Sequence, residues 1–118
     1  MLLSLYLHFP FCKRKCSYCD FCSATASDAV IEAYCDTMVT EIAMRAKGFA
    51  GMPVDTVFLG GGTPSAVPAP LMQKVLDALR DCFRLQPDLE FTSEANPGTL
   101  TDEWLAVLTQ AGCNRLSI

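Results

Sequence analysis

Three cysteines in the stretch CKRKCSYC, namely Cys12, Cys16 and Cys19, stand four and three residues apart, and a fourth follows at Cys22. Thiolates this close together bind a metal ion, pair as a disulfide or hold an iron–sulfur cluster. A closed structural zinc site takes four ligands in a tetrahedron, usually from two Cys-x-x-Cys knuckles joined by a longer spacer. Here all four candidates lie within eleven residues, and three residues rather than two separate the first pair. The spacing suits a [4Fe–4S] cubane better, because one short loop can wrap three thiolates around three corners of a group larger than a single ion. One iron then lacks a protein ligand and can take an exchangeable one, by the logic that separates catalytic from closed zinc sites.

A strand must deliver this loop. In LSLYLHF, Leu3, Leu5, Leu7 and Phe9 fall on one face and Ser4, Tyr6 and His8 on the other, the period of two expected of a strand. Behind the loop, Ser27 is a good N-cap for DAVIEAYCDTMVTEIAMRAKG, which repeats apolar residues at Ile31, Tyr34, Met38 and Ile42 and finishes with Arg45, Lys47 and Gly48. That predicts a helix of about five turns. VDTVFL is then a near-continuous apolar run ending at GGGTPS, and APLMQKVLDALRDCF places Leu71, Val75, Leu79 and Cys82 on one helical stripe. LEFTSEANPG reads as a strand closed by a Pro-Gly turn, and TDEWLAVLTQAG as a helix capped by Thr101, with Asp102 and Glu103 in its first turn and Gly112 as its stop. NRLSI begins a fourth strand, and the chain stops there at Ile118, which reads as a fragment with a bare sheet edge.

Strands alternating with helices imply right-handed crossovers and an α/β fold with a parallel sheet, either doubly wound or a barrel. In both, ligands bind at the carboxyl ends of the strands, so the cysteine loop, GGGTPS and EANPG converge on one edge. If the leucines of the first strand face helices, Tyr6 and His8 point into the interior beneath the cluster, where the Tyr6 phenol can bond a cofactor; a lone histidine such as His8 is more often a hydrogen-bonded structural residue.

Composition limits the partners. The 118 residues are 51 % apolar, enough for a core, and make one domain or part of one. Nine basic against thirteen acidic residues give a net charge of -4, which disfavours a broad nucleic-acid surface. The apolar amino terminus is short, lacks a preceding positive charge and is broken by His8 and Pro10, so neither a signal peptide nor a membrane span is readable. The expected location is cytoplasmic. An odd count of seven cysteines in a reducing compartment fits metal ligation rather than a disulfide framework, with the scattered Cys35, Cys82 and Cys113 expected as buried core thiols.

Cys12-x-x-x-Cys16-x-x-Cys19, with Tyr18 just before the third cysteine, resembles the signature loop of the radical S-adenosylmethionine (SAM) superfamily. The resemblance implies a parallel-stranded partial (β/α) barrel, here truncated after about the fourth strand, with residues 1–118 as the amino-terminal part of its core domain. In that superfamily the open iron chelates the amino and carboxylate groups of SAM, and an electron passed through the cluster cleaves the sulfonium to a 5'-deoxyadenosyl radical. Cluster ligation then falls to Cys12, Cys16 and Cys19, and SAM contact to Tyr6, Tyr18, Gly60, Gly61, Gly62, Thr63 and Glu94. The glycine run is neither a P-loop nor G-x-G-x-x-G, and glycines after a strand are often only a tight turn. Three of them nevertheless let bare backbone approach a ligand, and their amides could meet the carboxylate or amino end of SAM. Glu94 is a surface carboxylate or, on the ligand edge, an acceptor for ribose hydroxyls or the amino group. Arg115 is a solvated charge or a weaker site candidate.

LYLHFPFCKRKCSYCDF, FLGGGTPS, EANPGTL and GCNRLSI together resemble the HemW and HemN group of radical SAM proteins over nearly the whole chain. HemN-type members are oxygen-independent coproporphyrinogen III dehydrogenases; HemW-type members are haem chaperones that deliver haem to acceptor proteins. HemN-type enzymes carry a further cysteine two positions after the third ligand, where this chain has Asp20-Phe21 in YCDF, so the resemblance leans to the chaperone branch. Cys22 then reads as a partly buried thiol. Haem or porphyrin, a haem-accepting protein and a flavodoxin-type donor greeting Lys13, Arg14 and Lys15 are the implied partners, haem only for the complete protein. The alternative of another class is a small zinc-binding interaction domain.

Replacing Cys12, Cys16 or Cys19 by alanine is expected to abolish cluster assembly on anaerobic reconstitution, whereas Cys22→Ala retains it. Iron and acid-labile sulfide analysis reads the result. Full iron in any of the first three variants refutes the ligand set, and stoichiometric zinc without iron in the parent chain returns the zinc reading.

Overall fold

The computed structural model describes residues 2–11 and 27–118. Cys12, Lys13, Arg14, Lys15, Cys16, Tyr18, Cys19, Asp20, Phe21 and Cys22 lie outside the described residues. Four strands and three helices alternate: β1 (Leu3–Phe9), α1 (Asp28–Ala46), β2 (Pro53–Gly61), α2 (Ala69–Cys82), β3 (Arg84–Glu94), α3 (Asp102–Ala111) and β4 (Arg115–Ser117). The strands form one sheet in the order β1-β2-β3-β4, every neighbouring pair parallel. Because each crossover advances by one strand and right-handed crossovers prevail, all three helices come to one face, α1 beside α2 and α2 beside α3. A doubly wound sheet reverses its order partway and carries helices on both faces. Of the two architectures open to the sequence, this is the wall of a (β/α) barrel.

The strand alternation decides what each face becomes. Leu7, Phe9, Val57, Leu59 and Phe91 are buried beneath the helices, which supply Ile31, Met72, Leu76, Leu79, Trp104 and Leu108. On the opposite face the register aligns Tyr6 with Phe58, Phe58 with Thr92, and Thr92 with Arg115. The pairing is interrupted at one level: Leu3 pairs with Val54 but Ser4 with Thr56, and across β3 Leu85 pairs with Val54 but Glu90 with Thr56. Asp55 is the extra residue in β2, and the longer excursion in β3 contains Pro87, which cannot donate to a ladder.

Capping follows the sequence closely. The Ser27 hydroxyl accepts from the Val30 amide and the Thr101 hydroxyl from the Trp104 amide, each satisfying an otherwise orphaned donor. Gly112 stops α3 in the left-handed region, at φ 102°. Gly48 does not stop α1. The chain tightens into a 3-10 turn over Lys47–Phe49, and the left-handed position falls to Gly51 at φ 79°. On α2 the buried stripe is Met72, Val75, Leu76 and Leu79; Leu71 is only half-buried and Cys82 is exposed, because both lie on the flank of that arc. β3 begins directly after α2 at Arg84, five residues before the apolar run that marks it in the sequence, because β2 offers Pro53 and Val54 as early partners.

The described cysteines Cys35, Cys82 and Cys113 are free thiols with different surroundings. Only Cys35 is a fully buried core thiol; Cys113 is half-buried and Cys82 sits in water, which corrects the expectation for both. Burial, then the neighbouring Asp36 carboxylate, push the Cys35 thiol from 9.0 up to about 11. The folded chain therefore holds this proton more tightly than the unfolded chain, and unfolding releases it between pH 9.0 and about 11. Stability from Cys35 is intact below that window and falls as pH rises through it. Urea midpoints at three pH values across the window should fall more steeply in the parent than in Cys35→Ala, and alkylation at pH 9 should label Cys82 long before Cys35. Equal labelling of the two would contradict this placement.

Candidate cofactor site at the strand ends

The carboxyl ends of β1, β2 and β3 meet through the glycine run. Gly60 and Gly61 belong to β2 rather than to a loop after it, paired with His8 and Phe9 of β1. Past the strand, the Gly62 amide donates to the Phe9 carbonyl at 2.8 Å and the Thr63 amide to the Phe11 carbonyl at 2.7 Å. These two bonds fasten the last described residue before the cysteine loop onto the end of β2. A Cβ on Gly62 would stand 2.7 Å from the Phe11 carbonyl oxygen and 3.0 Å from its nitrogen, so only glycine lets the two main chains come this close. Gly61, at φ 111°, is left-handed as well as crowded, with His8 Nδ1 and the Phe9 carbonyl oxygen each 2.9 Å from where its Cβ would be.

Gly60 faces the other way, onto the open side of the sheet. Its missing Cβ leaves a spot within 2.8 Å of Glu94 Oε1 and 2.9 Å of the Tyr6 hydroxyl. Glu94, half-buried at the end of β3, accepts from the Gly61 amide through Oε1 at 3.1 Å, which leaves its second oxygen for another donor. Tyr6 is 58 % exposed and stacks on Phe58, centroids 5.7 Å apart and planes within 10°, while its hydroxyl lies 3.4 Å from His8 Nδ1. The structure thus brings Tyr6, His8, Gly60 and Glu94 together on one face, with the Gly61 amide tied to Glu94. Arg115 lies a strand further on and pairs with Glu90 at 3.0 Å, both side chains well exposed.

The hydrogen bonds correct one expectation. The amides of Gly61, Gly62 and Thr63 are spent on Glu94, Phe9 and Phe11, so they do not form an anion-binding nest for a carboxylate. What the strand end offers a ligand is an acceptor, the Glu94 carboxylate oxygen that Gly61 does not take, which suits ammonium and hydroxyl donors.

Several contributors escaped the sequence reading. The Tyr34 hydroxyl, reaching across from α1, donates to the His8 carbonyl, and its ring meets Phe11 edge-on at 5.0 Å. Burial, followed by the nearby Glu41 carboxylate, raises the Tyr34 phenol above 10.0, which keeps it a donor across the physiological range. Its place on the apolar stripe of α1 concealed this second role. Ser65, Asn96 and Thr99 join the loops after β2 and β3 through hydroxyl contacts, and short polar residues beside Pro64 and Pro97 were the available signal.

A parallel (β/α) wall with a ligand edge at its strand ends, and with three clustered cysteines in the sequence between its first strand and first helix, is the architecture of a cofactor-binding barrel. The sequence model of the radical SAM superfamily matches residues 6–118, and the chain belongs to that superfamily. Membership brings a [4Fe–4S] cluster and SAM as the shared chemistry of the group. Among curated relatives, the chain is 41 % identical to the haem chaperone HemW of Escherichia coli over 98 % of its own length and 31 % of the relative's. It is 36 % identical to the oxygen-independent coproporphyrinogen III oxidase of Paracoccus denitrificans, over 98 % of this chain and 26 % of that one. The solved structure of Escherichia coli coproporphyrinogen III oxidase (HemN), a radical SAM enzyme, superposes with a TM-score of 0.88 at 34 % identity, covering 98 % of this chain and 26 % of that chain. The chain therefore spans less than a third of the length of these relatives. Among the described residues no helix is long and apolar enough to cross a membrane.

Two glycine substitutions separate the roles of the run. Gly62→Ala collides with backbone and is expected to destabilise the chain by about 1–3 kcal/mol. Gly60→Ala meets only the ends of the Phe58, Glu94 and Tyr6 side chains, so its stability cost should be smaller, while the spot between Tyr6 and Glu94 is filled. Denaturant midpoints of the two variants check the order, and a larger loss for Gly60→Ala would contradict it.

Proposed function

We propose that this chain is the cluster- and SAM-binding portion of a HemW-like haem chaperone. The observation that carries the reading is the loop Cys12 to Phe21, in which Asp20 and Phe21 stand where HemN-type enzymes place a further cysteine; the 41 % identity to a haem chaperone supports it. In this reading Cys12, Cys16 and Cys19 hold the cluster, and the strand ends beside it receive SAM.

The residues present fit that cofactor. Its ammonium and ribose hydroxyls are donors, and the strand ends present an acceptor, the free Glu94 oxygen. Gly60, bare of a Cβ, lets Phe58, Glu94 and Tyr6 close together over the end of β2, so the carboxylate and the phenol stand side by side. Tyr6, stacked on Phe58 and open to solvent, gives a flat face for a ring and a hydroxyl beside it. Tyr34 and the Gly62–Phe9 bond hold the strand that carries Tyr6 and leads to the cysteines. When bound, cluster and SAM supply one-electron cleavage of a sulfonium; the side chains named here bind, orient and shield. Tyr18 and Thr63 complete the proposed contact set.

A second reading, a coproporphyrinogen III dehydrogenase, is favoured by the fit to the HemN structure. Haem titration of the full-length protein distinguishes the two. A saturable Soret shift, with no protoporphyrinogen formed in an anaerobic reducing assay, is expected for the chaperone. No Soret shift together with porphyrinogen turnover would replace it by the enzyme. A reduced-cluster paramagnetic resonance signal that shifts on adding SAM is expected in either case.

A further inference from the structure

Three polar residues outside the proposed contact set close a ring between the loops that follow β2 and β3. Ser65 lies in the 3-10 turn Pro64–Ala66, directly after the glycine run, and is 5 % exposed. Its hydroxyl accepts from the Asn96 amide at 3.0 Å and contacts the Thr99 hydroxyl. Thr99 donates its one hydroxyl proton to the Asn96 carbonyl at 3.1 Å, which settles the direction of the remaining bond: Ser65 donates to Thr99. The circuit runs from Asn96 amide to Ser65 hydroxyl, to Thr99 hydroxyl, to Asn96 carbonyl. Each hydroxyl both donates and accepts, an arrangement in which bonds polarise one another and act as a unit. The Asn96 side chain adds a bond to the Gly98 amide at 2.8 Å, fixing the turn over Pro97–Thr99.

Glu94 stands two residues before the ring, and its carboxylate is tied at 3.1 Å to Gly61, four residues before Ser65. The segment from Glu94 to Asn96 is thus held to the glycine segment twice, once by a side chain reaching to backbone and once by backbone reaching to a side chain. We propose that Ser65 and Thr99 are positioning residues that set the Glu94 carboxylate against the end of β2, and so fix its free oxygen for the donor groups of the bound cofactor. This rests on the SAM reading for its ligand, while the ring itself does not.

The test uses the full-length, cluster-loaded protein and four variants: Ser65→Ala, Thr99→Val, Thr99→Ser and the double variant Ser65→Ala/Thr99→Val. Two quantities are read in each, the dissociation constant for SAM from the paramagnetic resonance titration and the hydrogen-exchange rate of the Gly61 amide, which Glu94 protects. Loss of either hydroxyl should weaken SAM binding about tenfold, as expected for breaking a partly buried hydrogen-bonded unit, and speed Gly61 exchange, with iron content unchanged. Thr99→Ser keeps the hydroxyl and should match the parent, and the double variant should be little worse than either single one. Unchanged Gly61 exchange in Ser65→Ala and Thr99→Val overturns the proposal, as does an equal loss in Thr99→Ser, which would indicate packing by the methyl group. Should Ser65→Ala fail to fold, the Thr99 pair decides alone. If the parent itself shows no response to SAM, the functional reading fails and Gly61 exchange still judges the ring.

Discussion

The amides of Gly62 and Thr63 reach the carbonyls of Phe9 and Phe11, and that approach of two main chains requires the volume a Cβ would take at Gly62. Phe11 is the last described residue before Cys12, and backbone hydrogen bonds hold it to the end of β2 together with its packing on Tyr34. Such bonds are short, directional and insensitive to side-chain rotamers, so they fix the end of this strand more tightly than packing alone would. Tyr34 completes the fixture from the helix that follows the loop, tying the His8 carbonyl to α1. The strand before the loop and the helix after it are thereby joined independently of the loop.

Three adjacent glycines serve three directions of space. Gly62 admits the backbone of Phe11 past the first strand, Gly61 takes a left-handed turn against His8, and Gly60 lets the Phe58, Tyr6 and Glu94 side chains close over it. A sequence reading that sees only absent side chains assigns all three to a ligand. The structure assigns two of them to the protein itself, and their donors with them. The polarity of the strand end is reversed by this: it accepts where a phosphate-binding loop donates.

What could be read from the sequence was whatever depends on period and caps. The alternation of Leu3, Leu5, Leu7 and Phe9 gives the two faces of β1, and Ser27, Thr101 and Gly112 mark helix ends by local chemistry that needs no tertiary partner. Gly48 failed as a stop because a residue's fitness for a turn does not oblige the chain to turn there, and Gly51 was three residues away. Arg84 to Asp88 carries no strand period, and it becomes strand only because Pro53 and Val54 lie alongside. The Ser65–Asn96–Thr99 ring joins positions 31 and 34 residues apart, a pairing that no local pattern encodes. Cys82 was misplaced by a single helical position, the resolution limit of an apolar stripe.

The extra residue at Asp55 sits far from the strand ends, at the opposite end of β2. Below it, Val54 is buried alongside Leu3; above it, Val57 and Leu59 are buried and Phe58 and Gly60 take the open face. Side chains alternate with a period of two, so this one residue exchanges odd for even along the remainder of the strand. The segment from Val54 to Gly62 consequently behaves like a reading frame. Above the bulge its letters can change one at a time at modest cost, but its length cannot: a deletion at Phe58 would carry Leu59 onto the open face and present Gly61 where Gly60 now stands. Divergence among chains of this kind should accordingly accumulate by substitution within this strand and by insertion only outside it.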